Sequence, residues 1–73
     1  MEYDYSRLKG RITEKFGTQR DFAKALKRED TYVSRYLNGI GKFTQPIIAL
    51  WVEALDIDKA DIGSYFFTLK VDN

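Results

Sequence analysis

The side chains that carry most enzymatic and metal chemistry are scarce in this sequence. It contains no histidine and no cysteine, so the usual general base at neutral pH and the thiolate nucleophile are both missing. Asp56, Asp58 and Asp61 form an acidic cluster, but the glycine and the terminal glutamate of a calcium-binding EF-hand loop are absent. Helix capping explains the spacing of these residues better. We therefore expect no enzyme, no metal site and no cofactor.

Charge is the chemistry that the chain does concentrate. The formal net charge is only +1, but residues 1–44 hold ten Lys and Arg against six Asp and Glu, whereas residues 45–73 hold two against five. This asymmetry is typical of a molecule that presents one side to a polyanion. On charge alone, solvated helix faces rich in lysine and arginine explain the pattern equally well.

Apolar residues recur at helical spacing along most of the chain and predict five short helices. Leu8, Ile12 and Phe16 form one stripe, and Gly17 follows where a helix ends in a left-handed residue. Gly10 lies inside this first helix, where it permits the close approach of another helix. Strand signals are weak, so we expect an all-α bundle.

The later helices are marked by their caps and by one strongly apolar segment. Asp30 is expected to cap the third helix, and Asn38-Gly39 to end it. The fourth helix follows Thr44 and carries Trp51 into the core, and a fifth begins near Asp58. Residues 65–67, Tyr-Phe-Phe, cannot all be buried by one short helix, so at least one of them is expected to be exposed as a surface for self-association or a partner. Packing of these residues against the first helix is an equal alternative. Residues 69–73 are expected to be extended or frayed.

The length of 73 residues fits one domain, residues 1–73. No apolar run approaches the roughly 20 residues that a membrane span requires. The N-terminal residues lack the basic and then apolar order of a signal peptide. We therefore expect a cytoplasmic protein without a membrane partner.

Two of the predicted helices are short and lie about four residues apart, between residues 18 and 38. Thr18 and Asp21 have the spacing of a capping box at the start of the first of them. Ala23 falls where two helices cross closely, and Phe22 and Val33 supply a shared core. This arrangement is typical of a helix-turn-helix, in which the second helix enters the major groove of DNA.

The motif resembles a known family, the phage repressor and Cro-like helix-turn-helix proteins. The matching residues are Thr-Gln-Arg-Asp-Phe-Ala-Lys-Ala-Leu at 18–26 and Val-Ser-Arg-Tyr-Leu-Asn-Gly at 33–39. Residues 4–12 and 61–67 look like short phage regulators of Gram-positive hosts. The resemblance spans about residues 4–68. It implies a lambda-repressor-like fold and a transcriptional regulator that binds operator DNA in the bacterial host, with a recognition helix at about residues 30–38.

By position, the resemblance also implies which residues contact double-stranded DNA. Gln19 would bind a phosphate, and Arg35 would make a paired contact to guanine. The alternatives are a plain first-turn residue for Gln19 and a surface salt bridge for Arg35. The full implied set is Gln19, Arg20, Asp30, Thr31, Tyr32, Ser34, Arg35, Asn38 and Lys42.

The turn itself departs from the family pattern. Lys27 stands where the family commonly has glycine, and Arg28 stands where an apolar residue usually packs. Glu29 and Asp30 suit the N-terminus of the following helix but repel phosphates. An alternative function therefore stays open, that of an antirepressor or modulator that binds a phage repressor protein through the same surface. Homodimerisation also stays open, because one such unit buries little area on DNA.

Overall fold

The computed structural model describes residues 2–71, and its helices follow the apolar periodicity of the sequence. They are α1 (Ser6–Phe16), α2 (Gln19–Ala25), α3 (Tyr32–Leu37), α4 (Gln45–Leu55) and α5 (Ile62–Phe66), with a 3-10 turn at Lys59–Asp61 directly before α5. Residues 2–71 contain no β-strand beyond an isolated antiparallel bridge between Tyr3 and Leu69. The prediction of an all-α bundle of about five short helices is confirmed.

The core collects the apolar stripes of all five helices around one tryptophan. Trp51 of α4 is fully buried, as predicted, and its ring lies within 6.4 Å of several aromatic rings. The predicted contributions of Phe22, Ala23 and Val33 are also confirmed, since none of the three is exposed to solvent. The buried set is Leu8, Ile12, Phe22, Ala23, Val33, Leu37, Trp51, Leu55, Ile57 and Phe66.

Side-chain caps fix several helix starts. Thr18 accepts a hydrogen bond from the backbone N–H of Asp21 at 3.0 Å, as its position predicts. Asp58 accepts from the N–H of Ala60 at 3.0 Å and begins the 3-10 turn before α5. Upstream of α1, the hydroxyl and the N–H of Ser6 both donate to the Asp4 carboxylate, and they hold the pKa of that carboxyl below its usual value.

Three residues in the left-handed region end helices α2, α3 and α4. They are Lys27 with φ 59°, Gly39 with φ 80° and Asp56 with φ 56°. In each case the N–H of the following residue donates to a carbonyl five residues earlier, which closes the helix as a Schellman motif. The chain therefore turns sharply after each helix, and two of the three turns use a side-chain-bearing residue that resists this conformation.

Arg11 ties helix α1 to the end of α4. Its guanidinium donates to the backbone carbonyls of Leu55 at 2.8 Å and Asp56 at 3.1 Å. Lys15, one turn further along α1, lies 3.5 Å from the Asp56 carboxylate. These cations lie at the negative end of the α4 dipole, where positive charge is stabilising.

Two expectations about packing differ from the structure, and one is met. Beyond its chain neighbours and its own helix backbone, no atom of residues 2–71 lies within 4 Å of a Cβ built at Gly10, so no other helix packs closely against this glycine. Asp30 does not cap α3, which begins one residue later than a cap at Asp30 predicts and has Thr31 at its N-cap without a side-chain bond. Phe67 is the exposed aromatic of the C-terminal group, at 50%. Residues 72 and 73, predicted to be extended or frayed, lie outside the described residues.

Candidate interaction surface

The connection between α2 and α3, residues 26–31, presents four consecutive charged residues. The α2 helix closes with hydrogen bonds from the N–H of Lys27 to Lys24 and from the N–H of Arg28 to Ala23, both at 2.9 Å. Since Lys27 takes the left-handed conformation here, this turn has the shape that glycine provides in the resembled family. The four charged side chains of the turn are exposed. Together with Arg35 they form what we call the charged face (Lys27, Arg28, Glu29, Asp30 and Arg35).

Asp30 pairs with helix α2 instead of capping α3. One of its carboxylate oxygens lies 3.1 Å from Nε of Arg20. Both side chains are more than half exposed, so the pair contributes on the order of 1 kcal/mol at most to stability. The pairing holds Asp30 toward Arg20, while the neighbouring Glu29 has no ion-pair partner among the described residues. Glu29 is thus the free carboxylate of the charged face.

Aromatic rings lie directly behind the charged face. The rings of Tyr32 and Tyr36 are 5.0 Å apart, and the Tyr36 ring is 5.2 Å from that of Phe43. Gly41 lies against Tyr36 so closely that an added Cβ would be 2.9 Å from its ring. The Tyr32 hydroxyl is buried and has no hydrogen-bond partner among the described residues. The wall behind the charged residues is therefore aromatic and carries one unsatisfied polar group.

Charged and aromatic residues together line a cavity of about 430 Å³. We call it the turn pocket. Arg28 lies over the Tyr32 ring with its guanidinium carbon 5.4 Å from the ring centre, a distance typical of a cation–π contact. The lining residues are Lys27, Arg28, Glu29, Tyr32, Arg35, Tyr36 and Gly41.

The residues that the resemblance assigned to DNA are divided between exposed and packed positions. Arg35, Asn38 and Lys42 are exposed on the side of α3 and its following loop, and Thr31 is exposed at the start of α3. Gln19 is half-buried in the first turn of α2, and Arg20 is paired with Asp30.

Two of the assigned residues are turned toward the protein itself. The Tyr32 hydroxyl is buried, and the Ser34 hydroxyl donates to the carbonyl of Thr31 at 3.1 Å. Their side chains are therefore less available to a partner than their helix positions indicate.

Ile40 is a surface residue that the sequence reasoning did not single out. It follows Gly39 in the Schellman motif, and its N–H donates to the carbonyl of Arg35 at 2.9 Å. An apolar residue at this position usually packs against its helix, but Ile40 is 66% exposed. The signal in the sequence was an isoleucine directly after the helix-ending Asn-Gly pair. Single exposed apolar residues are common on protein surfaces, and apolar groups surrounded by polar ones also occur in protein interfaces.

A larger groove of about 730 Å³ lies between the chain ends and the loop after α3. Its walls include Tyr3, Tyr5, Lys42 and Phe43. The groove is bordered by the pairing of the chain ends, where the N–H of Asp4 donates to Thr68 at 2.6 Å. Burial raises the pKa of Tyr5 here.

Among residues 2–71, no cluster of three His, Cys, Asp or Glu side chains is placed to hold a metal ion. No helix in that range is long and apolar enough to cross a membrane.

The structure is a small all-α bundle with a charged turn and an aromatic wall, and comparison with known proteins gives it a family. The family model described as "Protein of unknown function (DUF739)" matches residues 1–69, and the chain belongs to this family. It is similar to the solution structure of the modulator of repression (MOR) of the temperate bacteriophage TP901-1 from Lactococcus lactis. The identity is 43% and the TM-score 0.82, over 99% of this chain and 97% of that chain. Curated protein sequences gave no match.

The comparison refines the resemblance seen in the sequence. The likeness to short phage regulators is confirmed at that level by the match to a phage modulator. The matched family, however, is DUF739 and not the repressor and Cro-like family itself.

Proposed function

We propose that this chain is a modulator of repression that acts by binding a phage repressor protein through the charged face. The observation that carries the proposal is the similarity to the modulator of phage TP901-1, at 43% identity over nearly the full length of both chains. Because likeness at this level extends through the whole fold, we infer that the two proteins act on the same class of target.

The charge pattern of this surface supports a protein partner over DNA. A DNA backbone presents only negative charge, at about one charge per 1.7 Å of helix axis. The charged face places the carboxylates of Glu29 and Asp30 between the cations Arg28 and Arg35 along the chain. A protein surface that carries charges of both signs can complement such a pattern. A row of phosphates, in contrast, is repelled by Glu29 and Asp30.

Exposed Ile40 supports the same partner. It lies beside Asn38 and Lys42, the two residues that the resemblance assigned to phosphates. Burying an isoleucine side chain against a protein contributes about 1.5–3 kcal/mol, which a phosphate backbone does not supply. We infer that Ile40 is an apolar anchor at the edge of the repressor interface.

Direct DNA binding remains a second candidate function, because Lys27, Arg28 and Arg35 are exposed and make no ion pair among the described residues. The two functions differ in their response to the loss of acidic charge. Repressor binding should weaken when Glu29 is neutralised, since a contact to a basic surface is lost. DNA binding should strengthen, since a repulsion is removed.

Isothermal titration of the chain into its cognate repressor tests the proposal. We expect one specific complex, weakened about two- to fivefold by Glu29→Gln, which corresponds to up to about 1 kcal/mol for an exposed charge pair. Glu53→Gln is the matched control, because Glu53 is also an exposed glutamate but lies on α4, outside the charged face. Absence of binding by the wild-type chain, together with salt-dependent binding to operator DNA, would overturn the proposal in favour of DNA.

A further inference from the structure

We propose that the turn pocket is a receptor for a single carboxylate side chain presented by the protein partner. The inference rests on the proposed function and deepens it, because it names the chemistry that the partner inserts. It also assigns a role to the two residues, Lys27 and Arg28, at which the turn departs from the resembled family.

The turn pocket carries an excess of unpaired positive charge. Lys27, Arg28 and Arg35 line the pocket against one carboxylate, that of Glu29. None of the three cations forms an ion pair within residues 2–71, although other Lys and Arg side chains of the chain do. A concave site lined by cations attracts an anionic group more strongly than an open surface does.

Arg28 is held near an aromatic ring of the pocket. Its guanidinium lies over the ring of Tyr32, at 5.4 Å from the ring centre. At this distance the ring attracts the cation, and the N–H donors of a guanidinium match the two oxygens of a carboxylate. The contact with the ring reduces the side-chain freedom of Arg28 before a ligand binds. Arg28 is therefore partly organised for a planar, two-oxygen acceptor.

The hydroxyl of Tyr32 lacks a hydrogen-bond partner within residues 2–71. This residue lines the pocket, and its hydroxyl is buried without an acceptor among the described residues. Buried polar groups are nearly always hydrogen-bonded in native structures, so an orphaned donor in a residue that lines a cavity points to a partner such as water or a ligand group. Because the hydroxyl is buried, a carboxylate in the pocket reaches it only if the Tyr32 ring moves.

The size of the pocket and the charges around it favour a carboxylate side chain over a DNA phosphate. A cavity of about 430 Å³ is large enough for one inserted side chain. A phosphate in a DNA duplex has negatively charged phosphates next to it along the backbone. Glu29 on the wall and Asp30 beside it would repel those neighbours. An isolated carboxylate on a protein surface brings no such neighbours, and we therefore assign the pocket to a Glu or Asp of the partner.

Nuclear magnetic resonance titration of the isotope-labelled full chain tests the assignment, with N-acetylglutamate amide as the probe. N-acetylglutamine amide and inorganic phosphate are titrated in parallel. We expect saturable shifts in residues 27–29 and 35–36 with the glutamate probe, at dissociation constants on the order of millimolar. The glutamine probe should cause none. Equal shifts with both amides, or tighter binding of phosphate than of the glutamate probe, would overturn the carboxylate assignment.

Two arginine variants sharpen the test. Arg28→Gln should weaken the glutamate probe by about fivefold or more, because a charged hydrogen-bond donor is lost. Arg7→Gln is the matched control, since Arg7 also lies over a tyrosine, with its guanidinium carbon 4.3 Å from the Tyr65 ring centre, but lies outside the pocket. Equal weakening by the two variants would refute the assignment.

The same variants separate this inference from the proposed function. If wild-type chain and Arg28→Gln bind the repressor equally and the glutamate probe gives no shifts, the pocket assignment fails while the proposed function stands. If the wild-type chain does not bind the repressor, the proposed function fails, and the probe titration alone decides whether the pocket takes a carboxylate.

Discussion

Helix α2 ends on a lysine in a conformation that glycine adopts more readily, and its replacement tests the local structure. Lys27 has a φ of 59°. The left-handed conformation costs a side-chain-bearing residue about 1–2 kcal/mol. Glycine avoids this cost but loses about 0.5–1 kcal/mol through the greater freedom of its unfolded chain. Lys27→Gly is therefore expected to raise the free energy of unfolding by about 0.5–1 kcal/mol.

Lys27→Ala is the matched control for this substitution. Alanine removes the same side chain and its charge, but it keeps the left-handed cost, so the difference between the two variants isolates the backbone. In a domain of this size about 1 kcal/mol shifts the melting temperature by about 4–8 °C. Thermal unfolding followed by circular dichroism should place Lys27→Gly about 2–8 °C above Lys27→Ala. A glycine variant that melts at or below the alanine variant would refute the left-handed turn.

Three further outcomes are expected. Arg11→Ala should lower the free energy of urea unfolding by about 1.5–3 kcal/mol, because its charged hydrogen bonds to carbonyls at the end of α4 are lost; a change under 0.5 kcal/mol would count against them. Gly41→Ala should displace the Tyr36 ring, and unchanged ring resonances would contradict the close contact. Because hydrogen bonds from Ser6 lower the pKa of Asp4 from 3.8, their contribution to stability is complete above pH 3.8 and is lost as the pH falls through the lower folded-state value. Ser6→Ala should therefore reduce the pH dependence of the free energy of unfolding in that range. An unchanged pH dependence would argue against the hydrogen bonds from Ser6 to Asp4.

Much of the fold could be predicted from the sequence because its signals are local. The apolar spacing of Leu8 and Ile12, the cap at Thr18 and the left-handed Gly39 each depend on residues a few positions away. The start of α3 was misplaced because Asp30 has a tertiary alternative to capping. Its carboxylate reaches Arg20 on the neighbouring helix, and helix periodicity does not reveal that contact.

The candidate site was predicted only in outline. The charged residues of the turn stand out in the sequence because they are consecutive and depart from the resembled pattern. The pocket does not, because it depends on how Tyr36 packs against Gly41 and how Arg28 lies over Tyr32. Tyr32 was expected to face a partner, whereas tertiary packing buries its hydroxyl. The sequence shows which charges are present, but the fold determines which of them surround a cavity.

The central claim is that the charged face binds a repressor protein rather than DNA, and a mobility-shift titration tests it most directly. The labelled operator is titrated with the chain alone, with the cognate repressor alone, and with both together. We predict no shift by the chain alone at micromolar concentration and low salt, and a repressor shift that changes when the chain is added. A shift by the chain alone that weakens steeply with salt, with the repressor shift unaltered by the chain, would contradict the claim.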